Sequence, residues 1–160
     1  LGTSDIHDIV DWQYRIPSGG HRPVTLVFAR EKNEKALKRA LLNGQTVVWY
    51  DKKLIGKSDH LLPLINSSLE IESAHYINAT TIAHVVISNN SDAPYTMRNQ
   101  SEYDFYNGTN LITIPPHGSA IVDVRTLTKK RKFELQFEVL NALVMPDTHP
   151  LFRIVVRPKQ

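Results

Sequence analysis

The sequence predicts an α+β chain in two parts: a strand–helix–strand segment of α/β character, then an antiparallel β-sandwich. Three observations carry that expectation. Residues 24–50 run from a short apolar stretch, through an amphipathic helical stripe, to a second apolar stretch. Beyond about residue 60, short apolar or alternating segments recur, with turn signals roughly every 8–12 residues. Hydrophobic residues make up 41% and charged residues 22%, the balance of a globular chain.

Taken in order, the chain opens Leu1-Gly2-Thr3-Ser4-Asp5-Ile6-His7, with no methionine and no polar lead-in. This opening reads as the end of a strand, and the sequence as cut from a longer protein. Residues up to 23 are otherwise loop-like, punctuated by Pro17, Gly19, Gly20 and Pro23. Residues 24–29 (VTLVFA) are almost continuously apolar, which suits a strand covered on both faces. Asn33 is the expected N-cap of a helix whose apolar stripe is Ala36, Leu37, Ala40 and Leu41. Gly44 is the expected left-handed residue after its end. Residues 46–50 (TVVWY) form the next strand, so 24–50 reads as one βαβ unit of a parallel sheet.

Residues 61–68, with Pro63 among polar and apolar neighbours, read as a packed connector, and the two domains are expected at 1–62 and 63–160. No helix is expected after it. Strands are expected at 69–77, 81–88, 94–97, 103–106, 111–114, 119–125, 133–140 and 151–157, giving an Ig-like sandwich. In 133–139 the alternation is clean: Phe133, Leu135, Phe137 and Val139 share one face, and Glu134, Gln136 and Glu138 the other.

Several classes are disfavoured. A net charge of +3 is small and scattered, so nucleic acid is not an expected partner. The densest basic run, residues 129–132, reads as a solvated hairpin turn. No apolar stretch approaches the roughly 20 residues that span a bilayer. Without cysteine there is no disulfide framework, thiolate metal site or cysteine nucleophile. That absence is also compatible with an exported or periplasmic setting in a bacterium.

The main chemical candidate is Asp5-Ile6-His7. In a strand, residues two apart share a face, so a carboxylate and an imidazole can point at one ion. Aspartate oxygen with histidine nitrogen suits Zn, Mn or Fe rather than Ca. Spacing alone is weak: nine Asp and seven His predict about 0.4 such matches by chance. A second match, Asp147-Thr148-His149, lies in a Pro-flanked turn and is taken as accidental.

The context adds to the motif. Gly2-Thr3-Ser4-Asp5-Ile6-His7 resembles the last metal-binding motif of the PHP (polymerase and histidinol phosphatase) family. Thr3 to His7, Asp11-Trp12-Gln13, Gly20-His21-Arg22-Pro23 and Thr25-Leu26-Val27-Phe28-Ala29 occur in that order in bacterial PHP proteins with a C-terminal β domain. Ala40-Leu41, Gly44-Gln45-Thr46-Val47-Val48-Trp49-Tyr50 and Leu54-Ile55-Gly56 continue the likeness. It is specific over residues 1–65 and thin beyond.

The resemblance implies the remnant of a distorted, TIM-like α/β barrel with several divalent metal ions at its mouth, hydrolysing phosphate esters. It gives Asp5 and His7 as metal ligands. The remaining ligands belong to an upstream part of the barrel, and no H-x-H occurs in this sequence. A fragment lacking them is expected to be inactive alone, with a bound metal or without one. Where relatives have Gly after the motif's His, this chain has Asp8, expected to be a solvated loop carboxylate. His21 and Arg22 are candidates for holding a substrate phosphate, beside the reading of a structural loop. Trp12 reads as a packing anchor under that loop. His60, His75, His84, His117 and His149 share no spacing and read as surface or satisfied histidines. Tyr95, Tyr103, Phe105 and Tyr106 read as packing before a carbohydrate-binding face. The alternative of another class is a noncatalytic β-sandwich module for binding or adhesion.

Overall fold

The computed structural model describes residues 1–4, 6–18 and 20–159. They divide into two units, Leu1–Leu61 with Ala142–Thr148, and Leu62–Asn141 with His149 onward. No helix among the described residues is long and apolar enough to cross a membrane.

The first unit begins without a strand: residues 1–4, 6 and 7 carry no strand pairing, against expectation. A short helix α1 (Val10–Tyr14) and a 3₁₀ turn (Ile16–Ser18) follow in the stretch expected to be loop. Next come β1 (Val24–Val27), α2 (Glu34–Leu42), β2 (Thr46–Tyr50) and β3 (Lys53–Gly56). The α2 boundaries follow the sequence signals. The Asn33 side chain accepts from Ala36 N at 2.8 Å, and Gly44 at φ 65° turns the chain out of the helix.

The order strand, helix, strand holds, but the parallel pairing does not. β1 and β2 are antiparallel neighbours, Val27 opposite Thr46 and Val24 opposite Trp49. A parallel crossover needs a connection that carries the chain back to the start of the first strand. Here the helix leaves and returns at one end of the sheet, where Phe28 N donates to Gln45 O. The segment is therefore a hairpin with a helix in its loop. β2 and β3 form a tight hairpin through Asp51 and Lys52, both left-handed at φ 46° and 64°, the backbone that a two-residue hairpin loop favours. A fourth strand, β10 (Ala142–Leu143), pairs parallel to β3 and completes the order β1-β2-β3-β10. No barrel closes among the described residues.

The stretch expected to be a connector is a helix, α3 (Ser58–Ser68). Leu61, Ile65 and Ser68 are buried at helical spacing. Pro63 lies inside α3, and as a helix breaker it masked that stripe.

The second unit is a sandwich of two antiparallel sheets. One has the order β4-β5-β8, from β4 (Leu69–Tyr76), β5 (Ile82–Asn89) and β8 (Ser119–Arg125). The other has the order β11-β9-β6-β7, from β6 (Tyr95–Asn99), β7 (Leu111–Ile114), β9 (Phe133–Val139) and β11 (Leu151–Val156). Phe133, Leu135, Phe137 and Val139 all point inward, as their alternation predicts. From the facing sheet come Ala83, Val85, Ile87, Val122 and Val124. Phe105, bridged to Val124, meets Phe137 at 6.2 Å between ring centres. Residues 103–106 form only that isolated bridge and not a full strand. The basic run at 129–132 joins β8 of one sheet to β9 of the other, so it is a crossover and not a hairpin turn.

Candidate functional site

The N-terminal segment is positioned by small contacts. Gly2 N donates to Thr25 Oγ1 at 2.9 Å, and Thr25 Oγ1 donates back to Gly2 O at 3.2 Å. A β-carbon on Gly2 would lie 2.5 Å from Val48 Cγ1, so the chain can approach this closely only as glycine. The Tyr14 hydroxyl donates to Ser4 O at 3.2 Å, and its ring meets Tyr50 edge-on at 6.3 Å. These bonds fix the segment that leads into the D-x-H motif.

Asp5 lies outside the described residues, so the arrangement of the motif pair rests on His7 alone, which is exposed. Asp8 is exposed too; its Oδ1 accepts from Ile9 N at 2.8 Å, as a loop carboxylate does. Among the described residues, no group of three or more His, Asp or Glu side chains converges to hold a metal ion. The described side chains near the motif therefore do not by themselves form the cage that a cluster of catalytic metals needs.

His21 and Arg22 part company. The His21 ring packs on Trp49 at 4.2 Å between centres, and its Nδ1 lies 2.7 Å from Arg22 O. A carbonyl can only accept, so Nδ1 carries the proton and the neutral ring offers Nε2 as acceptor. Arg22 is exposed. His21 lines a cavity of about 220 Å³ with Tyr14, Arg15, Tyr50 and Lys52. Gly20 shapes its wall, since a β-carbon there would lie 1.8 Å from Tyr14 O. The cavity has room for a small anion, and Arg15 and Lys52 bring positive charge to it, offset by Asp51. Sequence reading did not single out Arg15 or Lys52. The hairpin at 51–52 and the left-handed Arg15 (φ 50°) bring them together, and neither leaves a spacing signal.

Trp12, expected to anchor the loop, is 77% exposed. Helix α1 is little more than one turn and has no buried residue, so nothing covers the indole. In the sandwich, Tyr95, Tyr103 and Phe105 are buried, whereas Tyr106 is half exposed, with Arg125 over its ring at 4.9 Å. His84 and His117 are paired with Asp123 and Asp92, and His60 stacks on Phe28.

The comparisons with known proteins agree with this architecture. Residues 69–155 match the family model of DUF5001, an Ig-like domain, and the chain belongs to that family. The whole chain is also similar to a solved structure, a two-domain protein from Bacteroides vulgatus containing a predicted PHP-like metal-dependent phosphoesterase. The likeness covers 97% of this chain at 26% identity, with a TM-score of 0.83, and the chain spans 45% of that protein's length. Among curated proteins nothing matches.

Proposed function

We propose that this chain is the C-terminal part of a PHP-type metal-dependent phosphoesterase. In this reading Asp5 and His7 contribute to a site for Zn, Mn or Fe, and the Ig-like unit is an accessory. The observation that carries the proposal is the likeness, along 97% of the chain, to a protein containing a PHP-like phosphoesterase. The motif Thr3-Ser4-Asp5-Ile6-His7 adds the ligand chemistry. The cavity beside His21, with Arg15 and Lys52, supports a place for a phosphate group nearby. The remaining metal ligands, in this reading, come from the upstream part of the same polypeptide.

The test uses both forms of the protein. The 160-residue chain with added Mn or Zn is expected to show no hydrolysis of p-nitrophenyl phosphate. The parent polypeptide is expected to show turnover that chelator abolishes and that His7→Ala lowers by about 100-fold or more. Chelator-sensitive turnover by the short chain would refute its incompleteness. A parent that neither binds metal nor turns over leaves the second reading, a noncatalytic Ig-like binding module, which the match over residues 69–155 favours.

A further inference from the structure

The outer face of the sheet β4-β5-β8 carries a row of polar side chains in register. His75 stands opposite His84, and His84 opposite Asp123. The two imidazole centres are 5.1 Å apart and tilted by 46°. His84 Nδ1 lies 2.7 Å from Asp123 Oδ1. An ionised carboxylate can only accept, so His84 Nδ1 carries the proton and Nε2 keeps its lone pair.

We infer that His75 and His84 form a two-imidazole site for a divalent transition-metal ion, with Asp123 holding His84 in the ligating tautomer. The dimensions fit. Two imidazoles on one tetrahedral ion, each nitrogen about 2.05 Å from the metal, place their ring centres about 5 Å apart. A carboxylate on the far nitrogen is the usual partner of a metal-bound histidine, fixing the ring and raising its basicity. Imidazole nitrogen selects Zn, Ni and Cu(II) over Mg and Ca. The other coordination positions fall to water, because Asp123 is committed to His84 and, among the described residues, no third His, Asp or Glu joins the pair.

The site is shallow. His84 and Asp123 keep 27% and 34% of their side-chain surface, and His75 is exposed. On its other side His75 forms an isolated backbone bridge with Lys159, so a lysine is the next residue in register beside the pair. Micromolar rather than nanomolar affinity follows from two protein ligands beside a cation. The site stands apart from the motif at Asp5 and His7 and does not depend on the phosphoesterase reading.

Titration of the full 160-residue chain with Zn(II) tests it, by calorimetry and by NMR of the imidazole Hε1 signals. One ion is expected to bind in the micromolar range and to shift or broaden the His75 and His84 signals first. His75→Ala and His84→Ala are each expected to weaken binding at least about 10-fold, and Asp123→Asn by about 10-fold. His7→Ala is expected to leave this event unchanged. Circular dichroism in EDTA, matching that of the parent chain, checks that each variant folds. Equal Zn(II) binding by a His75→Ala/His84→Ala double variant overturns the inference, as does its loss in His7→Ala or the absence of micromolar binding.

Discussion

The two units use their apolar residues differently. In the sandwich, β5 alternates regularly between buried and half-buried positions, and β9 buries every second residue completely. The core is complete within the unit: Tyr95, Met97, Leu135, Phe137 and Phe152 are essentially without exposure. In the first unit, none of the four residues of β1 is buried, and Leu37, Leu42, Ile55 and Trp12 are exposed. Its buried apolar residues are Ala40, Val47, Leu54, Leu61 and Ala142, of which two are only alanines. An antiparallel sheet with one wet face can close its own core. A sheet of continuously apolar strands needs cover on both faces. The contrast locates the stability in the sandwich and leaves apolar surface on the first unit.

The strongest way to break that contrast is to cut one apolar side chain from a strand of each unit. Phe137→Ala is expected to cost about 3–5 kcal/mol, because a fully buried ring leaves a cavity. Val27→Ala in β1 is expected to cost about 1 kcal/mol, since its side chain is only half buried. Both tryptophans lie in the first unit, so in urea unfolding indole fluorescence follows that unit and near-UV circular dichroism of tyrosines adds the sandwich. Comparable losses in the two variants would remove the distinction.

A buried polar group sharpens it. Asn89 is 1% exposed, and its Nδ2 donates to Ala93 O at 2.8 Å and to Pro115 O at 3.0 Å, while Oδ1 accepts from Ser91 N and Oγ. Asn89→Ala leaves Pro115 O and Ser91 N without these partners, while Ser91 Oγ can still donate to Ala93 O, and is expected to cost about 2–3 kcal/mol, read from the urea midpoint. In the first unit, Asn33→Ala removes the cap of α2 and is expected to cost about 1 kcal/mol, with faster amide exchange confined to residues 34–37.

The smallest effect lies on the sandwich surface. Lys130 donates to the Tyr103 hydroxyl at 2.7 Å, and this bond, with the nearby Glu102, holds its ammonium above the ordinary lysine value of 10.5. A raised value in the fold means that the contribution is fully present below pH 10.5 and is lost as pH rises through the raised value. Lys130→Met is therefore expected to lower stability slightly at neutral pH, with the difference from the parent shrinking in alkali.

Local patterns were legible where one signal sufficed. The alternation at 133–139 fixed which side of β9 faces inward, and Asn33 with Gly44 fixed both ends of α2. Helix α3 was missed because Pro63 outweighed the stripe of Leu61, Ile65 and Ser68. Strand β10 was missed because two residues have no periodicity to read. For the candidate site, sequence named Asp5, His7, His21 and Arg22, whereas Arg15 and Lys52 gather around His21 only through turns. His75, His84 and Asp123 are scattered along the chain and meet only because β4, β5 and β8 pair in one register.

By itself, the sequence determined the α+β class, the inward face of β9 and the presence of a D-x-H motif, because each is written in residues a few positions apart. The tertiary structure alone decided that β1 and β2 run antiparallel, that residues 142–143 extend the first sheet, and that two histidines and an aspartate form a row. Strand direction and register depend on how distant segments pair, and spacing along one segment does not encode the direction or register of its partner.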